Sequence, residues 1–195
     1  MTNPYVLLIS GSCAPASHSL TNVQYAQALL KQYGARTTVW DVQARPLPVH
    51  NPEDHHHLLR SANPDVRELA AIAAQADAFV WSTPVYHNSF TGTFKNALDN
   101  LSMDQLAHKP VLLISNGGGR FASTPCEHMR SVARGLLAVP IPCQIITLND
   151  DFQRANTGYT LSSDSIRQRF QRGCMELLAY AQALRHVREA LLVPQ

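Results

Sequence analysis

The chain predicts one doubly wound α/β domain, a five-stranded parallel sheet in the order 2-1-3-4-5 with helices on both faces. Three observations point there. Five short apolar runs alternate with segments whose apolar residues recur at helical spacing. The runs are nearly unbroken, as strands covered on both faces require. The three segments of unusual composition follow strands one, three and four, which that order sets side by side beyond the carboxyl ends, where such sheets bind ligands.

Taken in order, Tyr5–Ser10 is strand one, and Gly11-Ser12 leads into a helix over Ser19–Tyr33 that stops at Gly34, a C′ residue. Ala35–Val42, rich in β-branched and aromatic residues, is strand two. Gln43–Asn63 carries Pro46, Pro48 and Pro52 and the tract His55-His56-His57, and reads as a long surface connection. An Ala-rich helix spans Asp65–Gln75, and strand three covers Ala76–Ser82, stopping at Thr83-Pro84. Thr83–Ser89 is a loop and Thr91–Leu101 the next helix. Strand four, Pro110–Ser115, breaks into Asn116-Gly117-Gly118-Gly119, where three glycines exclude regular structure and permit close backbone approach. A helix over Pro125–Leu137, strand five over Ile141–Leu148, a polar loop over Asn149–Ser163 and a long helix over Asp164–His186 complete the reading.

With 195 residues, 45% hydrophobic and 15% charged, the sequence can bury a substantial core, and residues 1–195 are expected to form one domain. A net charge of +2 without a basic cluster argues against nucleic acid. Cys13, Cys126, Cys143 and Cys174 are scattered with no C-x-x-C pair, so neither a zinc site nor a disulfide framework is suggested. Consecutive histidines at 55–57 point in different directions, which does not make a metal site. The N-terminus lacks a basic n-region and no run approaches the length of a membrane span, so a cytoplasmic protein that avoids membranes is expected.

Several nucleotide and acyl chemistries are excluded by their missing motifs. G-x-G-x-x-G, G-x-x-x-x-G-K-[ST] and G-x-S-x-G do not occur. The ends of strands one and three read Ser10-Gly11-Ser12 and Ser82-Thr83-Pro84, without the carboxylates a phosphoryl-accepting receiver needs. What remains is a neutral anion seat. Ser12, Ser17 and Ser19 bring hydroxyls to a helix N-terminus, whose free N–H groups and dipole favour negative charge without a basic side chain.

Thr83-Pro84-Val85-Tyr86-His87-Asn88-Ser89, with Gly92, Lys95 and Asp99 beyond it, resembles the T-P-x-Y-x-x-S-x-x-G-x-x-K-x-x-x-D segment of the NAD(P)H-dependent FMN reductases. The first loop resembles that family's G-S-x-x-x-x-S-x-S/N pattern, and Gly117-Gly118 its G-G loop after strand four. The three motifs span roughly Val6 to Gly119. The resemblance implies a flavodoxin-like fold in which Ser12, Ser17 and Ser19 hold the FMN phosphate. It also implies that Pro84, Val85, Tyr86, His87, Asn88 and Ser89 wrap the isoalloxazine and ribityl chain, and that Gly117, Gly118 and Gly119 face the pyrimidine edge. Many members carry an arginine where this sequence has Ala14, a departure that implies weaker phosphate affinity and suits a protein that releases flavin.

The activity so implied is that of an NAD(P)H:FMN oxidoreductase, with FMN and either NADPH or NADH as cofactors, supplying reduced flavin to a partner monooxygenase. An enzymatic alternative keeps FMN bound and reduces quinones, azo dyes or metal oxyanions. A non-enzymatic one is a flavodoxin-like electron carrier, although the strong acidity and T-x-T-G-x-T loop typical of flavodoxins are both lacking. The family resemblance implies a homodimer or homotetramer. Hydride transfer to flavin needs stacking and proximity rather than a side-chain acid or base, so no catalytic nucleophile or general base is expected. The chain is closest in pattern to the sulfonate-utilisation flavin reductases of two-component monooxygenase systems, some of which carry an extra residue in the helix after the glycine loop. That likeness nominates His128 as a modulator sitting in a π-bulge. Lys95 and Asp99 are spaced for an intrahelical or subunit-interface ion pair, Arg120 for solvent or a nicotinamide phosphate, and Cys13 for a filler or a reactive thiol in the phosphate loop.

Overall fold

A computed structural model of the chain describes residues 3–55 and 57–191. His56, in the histidine tract, lies outside the described residues. Among the described residues, seven strands and six α-helices begin in the order β1 (Tyr5–Ser10), α1 (His18–Gln32), β2 (Arg36–Asp41), α2 (Pro64–Gln75), β3 (Ala78–Pro84), α3 (Gly92–Asp99) and α4 (Met103–Leu106). β4 (Pro110–Gly117), α5 (Thr124–Gly135), β5 (Val139–Leu148), β6 (Phe152–Arg154), β7 (Tyr159–Leu161) and α6 (Asp164–Leu191) follow. The main sheet is parallel in the expected order, β2-β1-β3-β4-β5.

Alternate strand residues feed two cores. Val6 and Leu8 pack with Val80, Leu112 and Ile114 under α1 and α6, through Ala26, Leu30, Phe170 and Leu177. Leu7 and Ile9 pack with Phe79, Trp81 and Leu113 on the other face under α2, α3 and α5, through Leu69, Phe94, Leu98 and Met129. Helix starts follow local chemistry. Ser17 accepts from Leu20 N–H at 3.0 Å, Asn63 from Asp65 and Val66 N–H with Pro64 next in line, and Thr91 from Phe94 N–H at 3.1 Å. Gly34, at φ +85°, ends α1, with its N–H bonded to Lys31 O and that of Ala35 to Leu30 O.

The structure corrects several boundaries. β3 continues through Thr83-Pro84, which pair with Ser115 and Asn116, and β4 continues through Gly117, which pairs with Leu148. Regular structure therefore includes the first of the three glycines, because its pairing with β5 holds it. The polar segment after β5 contains the antiparallel β6–β7 hairpin, and Gly158 in its turn takes φ +87°. Ser102 and Gln105 form a capping box that starts α4 inside the expected connection to β4. α5 is α-helical from Thr124 to Gly135, so no π-bulge lies at His128.

Candidate flavin site at the carboxyl ends of the strands

β1 ends at Ser10, while its neighbours run on past it, β3 to Pro84 and β4 to Gly117. Ser10 pairs with Ser82, and Gly11 N–H donates to Ser82 O at 2.8 Å, so the loop after β1 starts beside the middle strand. The Thr91 hydroxyl donates to Gly11 O at 2.5 Å and ties that loop to the N-terminus of α3. Gly11 is required there. A Cβ on it would lie 2.6 Å from Phe94 Cβ, within the side chain that fills the space under the loop.

From Cys13 to Ala16 the loop is exposed. Ser12 is buried, and its Oγ accepts from Ala14 N–H at 3.2 Å. Ser17 caps α1 with its oxygen, which leaves its hydroxyl proton free to donate outwards. Ser19 is buried and its Oγ is enclosed without a hydrogen-bond partner, so what it brings to the loop surface is a first-turn backbone N–H. The exposed Cys13 Sγ lies 3.1 Å from Thr93 Oγ1. No lysine or arginine occurs between Gly11 and Leu20.

The second loop is tighter than its sequence suggests. Tyr86 and Ser89 exchange backbone hydrogen bonds at 2.8 and 2.9 Å, while His87 and Asn88 between them take φ +49° and +62°. This is a two-residue hairpin with both central residues left-handed. Ser89 Oγ lies 2.9 Å from His128 Nδ1, which joins the hairpin to α5. Val85 N–H donates to Asn116 O at 2.8 Å, so loops two and three share one frame.

The glycine loop divides by role. A Cβ on Gly117 would meet Val85 Cγ2 at 2.9 Å and the Ala122 backbone at 3.1 Å, so close packing explains that residue. Gly118 and Gly119 are exposed, and neither has a positive φ. Nothing lies within 4 Å of a Cβ placed on Gly119. Neither backbone strain nor protein packing requires a glycine there, which fits a flat group passing along an edge free of side chains. Tyr86 and Phe121 border this edge, 53% and 64% exposed.

A polar cluster that the sequence reading missed lies beneath. His18 stacks on Phe152, ring centroids 4.2 Å apart and planes 9° apart, and meets Tyr159 edge-on at 4.2 Å. Its Nδ1 is 3.2 Å from Asn116 Oδ1. Asn116 Nδ2 donates to Thr147 O at 3.2 Å, and Asn22 Nδ2 to Thr147 Oγ1 at 3.0 Å. The available signal was the polar residue near the end of each apolar run, Asn116 in β4 and Thr147 in β5. Of the other residues singled out, Lys95 and Asp99 form their i,i+4 pair at 2.6 Å, Arg120 is exposed, and His55 meets His50 edge-on at 5.7 Å.

A doubly wound sheet whose first helix start and glycine loop lie beyond the carboxyl ends of its strands belongs to the class of α/β proteins that take ligands at the switch point. The chain belongs to the NADPH-dependent FMN reductase family, whose model matches residues 4–153. It is therefore an oxidoreductase that uses FMN and NADPH, and the electron-carrier alternative is set aside. It is 34% identical over 164 residues to an FMN-dependent NADPH-azoreductase of Staphylococcus saprophyticus, covering 84% of this chain and 87% of that one. It is 33% identical over 159 residues to an enzyme of the same description from Staphylococcus aureus, covering 82% and 85%. Among solved structures, a flavoenzyme NAD(P)H:(acceptor) oxidoreductase from Paracoccus denitrificans superposes with TM-score 0.73 at 18% identity, covering 92% of this chain and 98% of that one. An NADH:FMN oxidoreductase superposes with TM-score 0.71 at 21% identity, covering 93% and 90%. These two likenesses show the fold alone. Among the described residues, no helix is long and apolar enough to cross a membrane.

Proposed function

We propose that the protein is an NADPH-dependent FMN reductase that passes electrons to planar aromatic acceptors of the azo class. The observation that carries the cofactor placement is the convergence, at one end of the sheet, of the start of α1 and the open edge at Gly119. First-turn N–H groups of α1 and the Ser17 hydroxyl donate to the phosphate, and Ser12 holds the loop open through Ala14. Pro84 and Val85 with the Tyr86–Ser89 hairpin border the ring on one side, and Gly117, Gly118 and Gly119 border its pyrimidine edge. FMN bound there supplies the two-electron relay between nicotinamide and acceptor. The chain's own part is to bind, to orient and to place N–H dipoles where negative charge develops.

Support for an azo acceptor comes from the two staphylococcal relatives and from the open aromatic faces of Tyr86 and Phe121, which suit a flat aromatic partner. The monooxygenase partner has no comparable support. Two measurements test the reading. Ser17→Ala is expected to weaken FMN binding by roughly 1 to 3 kcal/mol, the range for a hydrogen bond to a charged group, and an unchanged affinity would mean that the phosphate is misplaced. NADPH with FMN is expected to bleach an aromatic azo dye faster than the same amount of chemically reduced free FMN, and equal rates would remove the acceptor assignment.

A further inference from the structure

The first turn of α1 is held to the end of β4 by one side chain. His18 follows the cap Ser17 directly, and its Nδ1 is 3.2 Å from Asn116 Oδ1. The far side of the amide fixes which atom faces which. Asn116 Nδ2 lies 3.2 Å from the Thr147 carbonyl, which only accepts, so Nδ2 donates there and Oδ1 turns to His18. His18 Nδ1 is consequently the protonated nitrogen and the donor. Its ring is clamped by Phe152 and Tyr159 of the β6–β7 hairpin. The same hairpin also reaches the first turn of α1, where Thr21 Oγ1 donates to Tyr159 O at 3.4 Å, and the loop before it, where Gly158 approaches Ala16.

This bracing matters because the seat carries no cation. A lysine or arginine attracts phosphate from many positions, whereas N–H and O–H donors weaken steeply once the angle is poor. A neutral seat therefore keeps its grip only if the helix start is held in register, and the exposed stretch from Cys13 to Ala16 cannot supply that rigidity.

We propose that His18 is the positioning residue that makes the seat selective for phosphorylated flavin over riboflavin, by fixing the first turn of α1 to Asn116. The proposal rests on the phosphate placement given above. His18→Phe keeps an aromatic ring between Phe152 and Tyr159 and removes only the bond to Asn116. Titrations of FMN and riboflavin are expected to show FMN affinity reduced about five- to tenfold and riboflavin affinity unchanged within about twofold. His18→Asn restores a donor near the position of Nδ1 without the ring, and is expected to return the FMN-to-riboflavin ratio to within about twofold of the parent, even if its melting temperature falls. Equal weakening of both flavins by His18→Phe, no change in either, or no recovery in His18→Asn would overturn the proposal. Ser17→Ala separates the two levels. If it lowers the ratio while His18→Phe does not, the bracing is wrong and the seat stands. If neither lowers the ratio, the seat itself is wrong and the bracing falls with it.

Discussion

At the amino ends of the strands, polar chemistry consists of full charges that the protein itself satisfies. Asp77 accepts from Tyr5 N–H at 2.9 Å and pairs with Arg188 at 3.2 Å and Arg185 at 3.7 Å. Lys109, buried, donates to Ala73 O and Ala74 O at 2.9 Å each and so closes the C-terminus of α2. In the loop after β1, at the opposite ends of the strands, the polar groups are neutral, and the Ser17 oxygen that caps α1 leaves its proton and the other first-turn N–H groups not taken up by the helix's own ladder. The difference separates structural polarity from functional polarity. A charge locked against a carboxylate and a helix terminus has nothing left to offer a ligand, whereas an amide or hydroxyl at a helix start does.

The comparison breaks first at Gly11, where Phe94 leaves no room for a side chain. Gly11→Ala is expected to cost roughly 3 kcal/mol in urea unfolding, at the upper end for overpacking, and a loss below about 1 kcal/mol would mean that the loop yields freely. At the opposite end, Asp77→Ala strands a mostly buried Arg188 and is expected to cost about 2 kcal/mol, with FMN affinity unaltered by titration. A parallel loss of flavin binding would couple the two ends and void the distinction.

Lys109 sharpens it through pH. Desolvation, reinforced by Arg188, lowers its pKa from 10.5 to about 8. The folded state therefore disfavours the charged amine, a cost fully present below pH 8 and relieved as pH rises towards 10.5, because over that window the unfolded chain binds more protons. Relative to Lys109→Met, the parent is expected to gain about 1 kcal/mol between pH 7 and pH 9, using about 1.4 kcal/mol per pK unit. A difference that stays flat or moves the other way would contradict the burial. The smallest effect belongs to the half-exposed Lys95–Asp99 pair. Lys95→Ala is expected to change stability by less than about 0.5 kcal/mol, and a larger loss would show that a surface ion pair can outweigh its solvent screening.

Much of the site was legible because it follows from local rules. Ser17 announces a helix start by its own chemistry, and the absence of Lys and Arg around it leaves that start neutral. Tyr86–Ser89 was placed correctly in order, but its left-handed pair, His87 and Asn88, was not readable, since neither residue demands φ > 0 as glycine would. The distinction between Gly117 and Gly119 was equally hidden. Both are glycines in one run, and only the position of Val85 and Ala122 shows that the first is excluded by packing while the last faces open space.

The sequence by itself determined the five strands of the main sheet, their parallel order and the three loops that follow strands one, three and four, because unbroken apolar runs and helix caps are encoded within a few residues of where they act, whereas the short β6–β7 hairpin carries no such run. Tertiary structure alone decided that His18 is bound to Asn116, 98 positions away, that Ser19 turns its hydroxyl inwards, and that α5 runs regularly past His128. Those outcomes depend on which side chains the packed sheet brings within 3 to 4 Å of one another. No local propensity specifies that, which is why the helix start could be read from its serines while the contact between His18 and Asn116 could not.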